Sequence, residues 1–208
     1  VSPRPRTASN DAILDGVGRA IARVGPARLA LTDVAEETGL APATLIQRFG
    51  SKRGMLLAAL ERGMADAGRR VSEIRVRQQS PLAALVAVAT DVAGQGSAPA
   101  AVANHLAFLQ ADLDDPEVHR LALERSRRAV AVYRGLIAEA VEAGELAGVD
   151  PGRLARTVHA VVTGSAGQWV VQRDGALTRW VHDDVDAVLA PYRQRGQGTA
   201  GPRARHRL

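Results

Sequence analysis

Apolar positions along the chain recur mainly at helical spacing. Ile13, Leu14, Val17, Ile21 and Val24 form one stripe at i, i+1, i+4, i+8 and i+11, the signature of an amphipathic helix with one buried face. Ser9 is a candidate cap for that helix, and Gly25-Pro26 stops it. Two short helices are predicted next: Thr32 to Thr38, ended by Gly39, and about Pro42 to Arg48, with proline at the first helical position. Gly50-Ser51 breaks the pattern, and Ser51 is placed to cap a long helix carrying Met55, Leu56, Leu60 and Met64. Further on, Ser80-Pro81, Asp115-Pro116 and Asp150-Pro151 each open a helix. Another covers about Ala100 to Ala111, and a last one runs from about Thr178 to Tyr192. No stretch sustains two-residue alternation, so an all-α fold without a sheet is expected. From Gly196 on, Gly, Pro and Arg dominate, a composition that predicts disorder.

Charge changes the picture by its placement. Residues 1–70 hold 11 basic and 7 acidic side chains, residues 71–192 hold 11 and 15, and residues 193–208 hold 5 and none. A basic head, an acidic middle and a basic tail suit a polyanion that meets the ends of the chain and not its body. Lys52 is the only lysine, so the abundance of arginine follows overall composition and says little about partners. There is no cysteine, which removes disulfides and thiolate metal sites. No run reaches the ~20 apolar residues of a membrane helix, and the first ten residues lack an apolar signal core. A soluble cytoplasmic chain with no membrane partner is the expectation.

The stretch Leu31 to Leu57, LTDVAEETGLAPATLIQRFGSKRGMLL, carries the functional signal. Helices of about seven residues do not stand alone in water. Two of them joined by Gly39-Leu40-Ala41 survive by packing steeply on the first helix, with Val34, Ala35, Leu40 and Leu45 facing a shared core. That arrangement is a helix-turn-helix, which presents one short helix to a DNA major groove. Val34-Ala35, Gly39-Leu40, Thr44-Leu45, Phe49, Ser51-Lys52 and Leu56-Leu57 follow in the order of a head that resembles the tetracycline-repressor (TetR) family. The match spans about residues 10–60; the rest of the chain agrees in general plan. Departures are Ala30, where a Ser or Thr usually caps the second helix and Thr32 is a candidate substitute, and Ala41 in place of the next cap. Ile46 stands in place of a phosphate-touching Tyr, and Arg48 stands in an often aromatic position.

The resemblance implies a three-helix DNA-binding head at residues 10–56 behind an arm at 1–9. A larger helical ligand-binding and dimerisation domain follows at 57–193, then a basic tail at 194–208. It implies that Pro42, Ala43 and Gln47 face base edges, that Thr32 reaches a base or phosphate, and that Thr44, Arg48 and Lys52 hold phosphates. It implies a double-stranded operator, a small-molecule effector and a homodimer formed through the last two helices. Polar or aromatic residues on apolar helices are the effector-site candidates: Asn104, His105, Phe108, Tyr133, His159, Gln168 and Trp169, with Gln110 also noted. Gly164 and Gly167, mid-helix, suggest a close approach of another helix, within one copy or between two, or a kink beside a pocket. Asp112, Asp114 and Asp115 read as caps ahead of Pro116 and not as a metal site, and no cofactor is expected. Against an enzyme, the chain holds no Gly-x-Ser-x-Gly, no phosphate loop and no repeated His/Glu pairing. A ligand-free architectural DNA-binding protein remains the alternative.

Overall fold

The computed structural model describes residues 8–25, 28–94, 99–110 and 116–194. They form the helices α1 (Asn10–Val24), α2 (Leu31–Thr38), α3 (Pro42–Phe49), α4 (Lys52–Arg77), α5 (Pro81–Gly94), α6 (Pro99–Gln110), α7 (Pro116–Glu142), α8 (Pro151–Gln172) and α9 (Leu177–Leu189), with a 3-10 turn at Ala190–Tyr192. Among the described residues, β pairing is limited to a single bridge between Leu146 and Arg193. The expected aspartate triplet at 112–115 and the basic tail from Gly196 lie outside the described residues.

Local chemistry sets the boundaries. The Ser9 hydroxyl accepts from the Ala12 N–H, Ser51 from Gly54, and the Asp150 carboxylate from Arg153, each satisfying a donor that a helix start leaves open. Gly39 ends α2 at φ 68°, ψ 18°, the left-handed conformation that residues with a Cβ resist. The second helix is capped differently from expectation. Ala30 holds the cap position, and the Asp33 carboxylate, not Thr32, accepts the Ala30 N–H at 2.7 Å. Asp33 sits three residues into the helix, where a carboxylate can reach back, while the Thr32 side chain is directed outward.

Two hydrophobic cores result. The smaller holds Ile13, Val17, Ala20, Ile21, Leu29, Val34, Leu45 and Met55, with Phe49 and Leu56 packed against it. The larger runs from Ala84 and Leu85 through Tyr133, Leu136 and Ile137 to Val158, Val162, Trp169, Val181 and Leu189. Helix α4 is common to both: Met55 is fully buried in the first, and Val71 and Ile74 pack on the second. The division near residue 57 therefore falls inside a continuous helix.

Ion pairs fasten α4 along its length. Arg62 reaches Asp11 and Asp15 on α1 and Asp66 on α4 itself. Arg70 lies 3.4 Å from Asp91 of α5, and Arg75 pairs with Glu139 of α7. Burial raises the Asp66 carboxyl, but hydrogen bonds and charge from Arg62 and Arg69 outweigh it and hold Asp66 below the ordinary carboxylate range.

The junction of α3 and α4 is tight. A Cβ on Gly54 would stand 2.3 Å from the Phe49 carbonyl oxygen, whereas one on Gly63, further along α4, would meet nothing within 4 Å. Gly54→Ala should lower stability by roughly 1–3 kcal/mol through backbone displacement, and Gly63→Ala should raise it by about 0.5–1 kcal/mol. Thermal unfolding of the two variants checks this, and equal effects would contradict the packing described.

Candidate nucleic-acid interface and interior polar site

Helix α3 turns one side to solvent. Leu45 is fully buried in the core of the head, while Pro42, Ala43, Ile46 and Gln47 are exposed on the opposite arc. Successive helical residues are about 100° apart, so those four positions form one continuous strip. Ile46 is 37% exposed and lies between Pro42 and Gln47, which adds an apolar group to the strip that sequence reasoning assigned only as a lost contact. Thr44 lies at the edge, half-buried, and Thr32 is exposed at the start of α2. Lys52 occupies the first position of α4 beside its Ser51 cap, where the helix dipole adds attraction for an anion.

Arg48 is placed differently from the expected phosphate clamp. Its guanidinium donates to the Ala8 carbonyl and to Asn10 Oδ1 (3.1 Å), tying α3 to the start of α1. A long side chain at the inner edge of α3 finds carbonyl acceptors 40 residues away in the chain more readily than solvent. Arg19 and Arg23 are likewise engaged, with Glu37 and with Asp33, Glu36 and Glu37 of α2.

The effector-site candidates do not form one cluster. Tyr133 of α7 and His159 of α8 come together, their rings 6.4 Å apart and tilted by 44°. The Ser126 hydroxyl lies 3.4 Å from His159 Nε2. Arg125, which sequence reasoning missed, joins them: its charge bears on both the phenol and the imidazole. Burial pushes the Tyr133 hydroxyl up to about 12 against the opposing pull of Arg125. Burial first, and then the Arg125 charge, lower the His159 pKa and favour neutral imidazole. Burial also lowers the Arg125 guanidinium from its ordinary value, though arginine stays protonated in proteins. The signal that could have found Arg125 is its position: it lies at i+4 from buried Leu121 and i−8 from buried Tyr133, on the inward arc of α7.

Asn104, Trp169 and Gln168 lie elsewhere. Asn104 Nδ2 donates to the Ala22 carbonyl of α1 at 3.0 Å, and a Cβ on Gly25 would come within 2.7 Å of Asn104 Oδ1. Asn104 thus closes the end of α1 in place of lining a chamber. Trp169 fills the larger core, with its indole N–H donating to the Gly175 carbonyl at 3.1 Å. Gln168 is exposed, because its register on α8 lies away from Val158, Val162, Ser165 and Trp169, which face inward. The side chains of His105, Phe108 and Gln110 lie outside the described residues. A surface groove of about 900 Å³ runs between the end of α4, α5 and α9, lined by Ile74, Leu82, Val86, Thr178 and His182. It is open to solvent and holds none of the interior polar residues.

A three-helix head exposing one short helix, on a helical body with a polar group inside, defines a helix-turn-helix regulator. Residues 13–59 match the family of bacterial regulatory proteins called tetR, and residues 81–190 match the C-terminal domain of BetI-type transcriptional repressors. The chain belongs to the TetR family of transcriptional repressors. Among curated proteins no relative matches it. Solved structures agree. A TetR-family transcriptional regulator from Rhodococcus is 27% identical over 86% of this chain and 97% of its own, with a TM-score of 0.67. A regulator from Saccharomonospora viridis in complex with choline is 21% identical over 89% and 98%, with a TM-score of 0.78. The transcriptional regulator FadR from Bacillus subtilis in complex with stearoyl-CoA is 17% identical over 88% and 98%, with a TM-score of 0.69.

If Arg48 is structural, Arg48→Ala should cost about 1 kcal/mol in a thermal melt. It should leave the slope of log affinity for DNA against log salt unchanged. A slope shallower by roughly one would return Arg48 to the phosphates.

Proposed function

We propose that the protein represses transcription by binding a palindromic operator as a homodimer and releases it when a small molecule enters the body. The exposed strip of Pro42, Ala43, Ile46 and Gln47 opposite fully buried Leu45 carries this reading. Gln47 is the hydrogen-bonding member and suits adenine N6/N7, while Ala43 and Ile46 suit thymine methyls. Lys52, Thr44 and Thr32 flank the strip as phosphate or base contacts. The head then comprises residues 10–56 and the body 57–193, with α4 passing between them. The site of action is the cytoplasm, and the interior polar groups serve binding and not a catalytic step.

The outer face of α8 supports the dimer. Ala160, Gly164, Gly167 and Val171 fall on one side of the helix at i, i+4, i+7 and i+11, and Val171 is 78% exposed. A Cβ on Gly164 or Gly167 would meet nothing within 4 Å in the same chain, so contacts within one copy do not require either glycine. The other helix that their small size admits belongs to the second copy, with α9 alongside. Helix α6 supports the coupling. It packs on α8 and on α1, and its Asn104 holds the end of α1, so a ligand that shifts α6 shifts the head. A ligand acts in this way only if it prefers one arrangement of the two heads. The neighbours solved with choline and with stearoyl-CoA show one fold accepting chemically unlike ligands, so the effector must be read from this chain's own side chains.

Three measurements test the reading. Gln47→Ala should weaken operator binding by about 1–3 kcal/mol with little change on random duplex, and an equal loss on both would remove it from base recognition. Lys52→Ala should weaken all duplexes alike and flatten the salt slope by roughly one; an unchanged slope would count against the phosphate contact. Gly164→Val should convert the dimer to folded monomer in analytical ultracentrifugation, and an intact dimer would move the interface elsewhere.

A further inference from the structure

Helix α6 meets the two halves of the molecule with different chemistry. Val102 is buried in the core of the body, and Leu106, one turn on, packs against it. Asn104 stands roughly 160–200° from both around the helix, at about 100° per residue, and its Nδ2 donates to the Ala22 carbonyl of α1 at 3.0 Å. The end of α1 is shaped for that bond. In a continuing helix the Ala22 carbonyl would accept from residue 26, but residue 26 is proline and has no N–H. The carbonyls of Ile21 and Val24 are served from nearby in the chain, by the Gly25 N–H and by Arg28 Nε. That of Ala22 is served from the other half of the molecule. A Cβ on Gly25 would stand 2.7 Å from Asn104 Oδ1, so glycine leaves the amide its approach.

Such a bond does what apolar packing does not. Burial of apolar surface is non-directional, so packed helices can turn against each other at little cost, whereas a hydrogen bond weakens steeply once its angle is lost. The first half of α1 is tied to α4, where Arg62 reaches Asp11 and Asp15. Its last turn is tied to α6 through Ala22. These two fastenings lie roughly 10–16 Å apart along α1, at 1.5 Å per residue, and together they fix its angle and with it the direction of α3. In a dimer the direction of each head sets the separation of the two α3 strips, and so the spacing of the half-sites that both can enter at once. We propose that Asn104 is a positioning residue for DNA recognition: through the Ala22 carbonyl it sets the head angle, and thereby the half-site spacing that the dimer selects. The inference rests on the palindromic-operator reading above. It gives Asn104, a candidate effector contact by sequence, a part in choosing DNA that it does not touch.

The test uses the full-length protein and a palindromic duplex that it selects from a random pool. Further duplexes carry the two half-sites moved together or apart by one or two base pairs, and another carries a single half-site. Fluorescence anisotropy gives each affinity, and the wild type should prefer the selected spacing. Asn104→Asp keeps the size of the side chain and loses the N–H donor, and Asn104→Ala removes the group without adding charge. Each variant should reduce the spacing preference roughly threefold to tenfold, as expected for the loss of one hydrogen bond, while affinity for the single half-site stays within about twofold. A spacing preference unchanged in both variants would overturn the proposal. So would an equal loss on single and paired half-sites, which would make Asn104 a residue of the fold alone. A wild type indifferent to spacing would overturn the operator reading and this one with it, whereas a preference that the wild type shows and both variants keep overturns only this one.

Discussion

One unbroken helix imposes the mechanical order of this molecule. Helix α4 has 26 residues, about 39 Å at 1.5 Å per residue, and its two ends are buried in different cores. Met55 cannot leave the first without opening a cavity, and Ile74 and Val71 hold the second. The short helices α2 and α3 depend on this. Eight residues each, they have no stability of their own, and they persist because α1 and the first turn of α4 supply the walls of their core. Arg62 reinforces the junction by serving three carboxylates from two helices. Since each such exposed pair contributes little alone, their effect is to fix the angle between α1 and α4 more than to add stability.

Besides α4, head and body are joined by α6, while α7 packs on α4, α5 and α8. Helix α6 reaches α1 on one side and α8 on the other, and α7 carries Ser126 and Tyr133, which meet His159 of α8. The interior polar residues and the exposed strip of α3 therefore share no residue, yet α6 packs between α8 and α1. Coupling of this sort requires a ligand with different affinity for two arrangements.

Much of the architecture was legible because it is local. Ser9 and Gly25 bounded α1, Gly39 and Pro42 bounded the two short helices, the Ser51 cap is found where the sequence puts it, and α8 opens at Asp150-Pro151. The resemblance implied Pro42, Ala43 and Gln47 of the outward strip of α3, but not Ile46. What the sequence hid is the destination of long side chains. Arg48 turns back to Ala8 and Asn10, Asn104 crosses to Ala22, and the cap of α2 comes from Asp33, each a choice among partners that periodicity cannot rank. Gln168 misled for a related reason: a polar residue on an apolar helix can mark either its inner or its outer face, and only the register of Val162, Ser165 and Trp169 decides. Arg125 was passed over as one arginine among many, although its place between Leu121 and Tyr133 on the buried arc set it apart.

The contact between Gly25 and Asn104 has a consequence for exchange of parts between members of the family. Gly25 has φ 80° and ψ 157°, a region essentially closed to residues with a Cβ, and the space a side chain would need is filled by the Asn104 amide. The end of the first helix is thus terminated by a residue that belongs to the other half of the molecule. A chimera that joins this head to a foreign body would carry its glycine but lose its terminator. The Ala22 carbonyl would then stand without its amide unless the recipient supplies one at the matching turn of its own sixth helix. Interchangeable as the two halves look in outline, the seam between them is specific at a single amide.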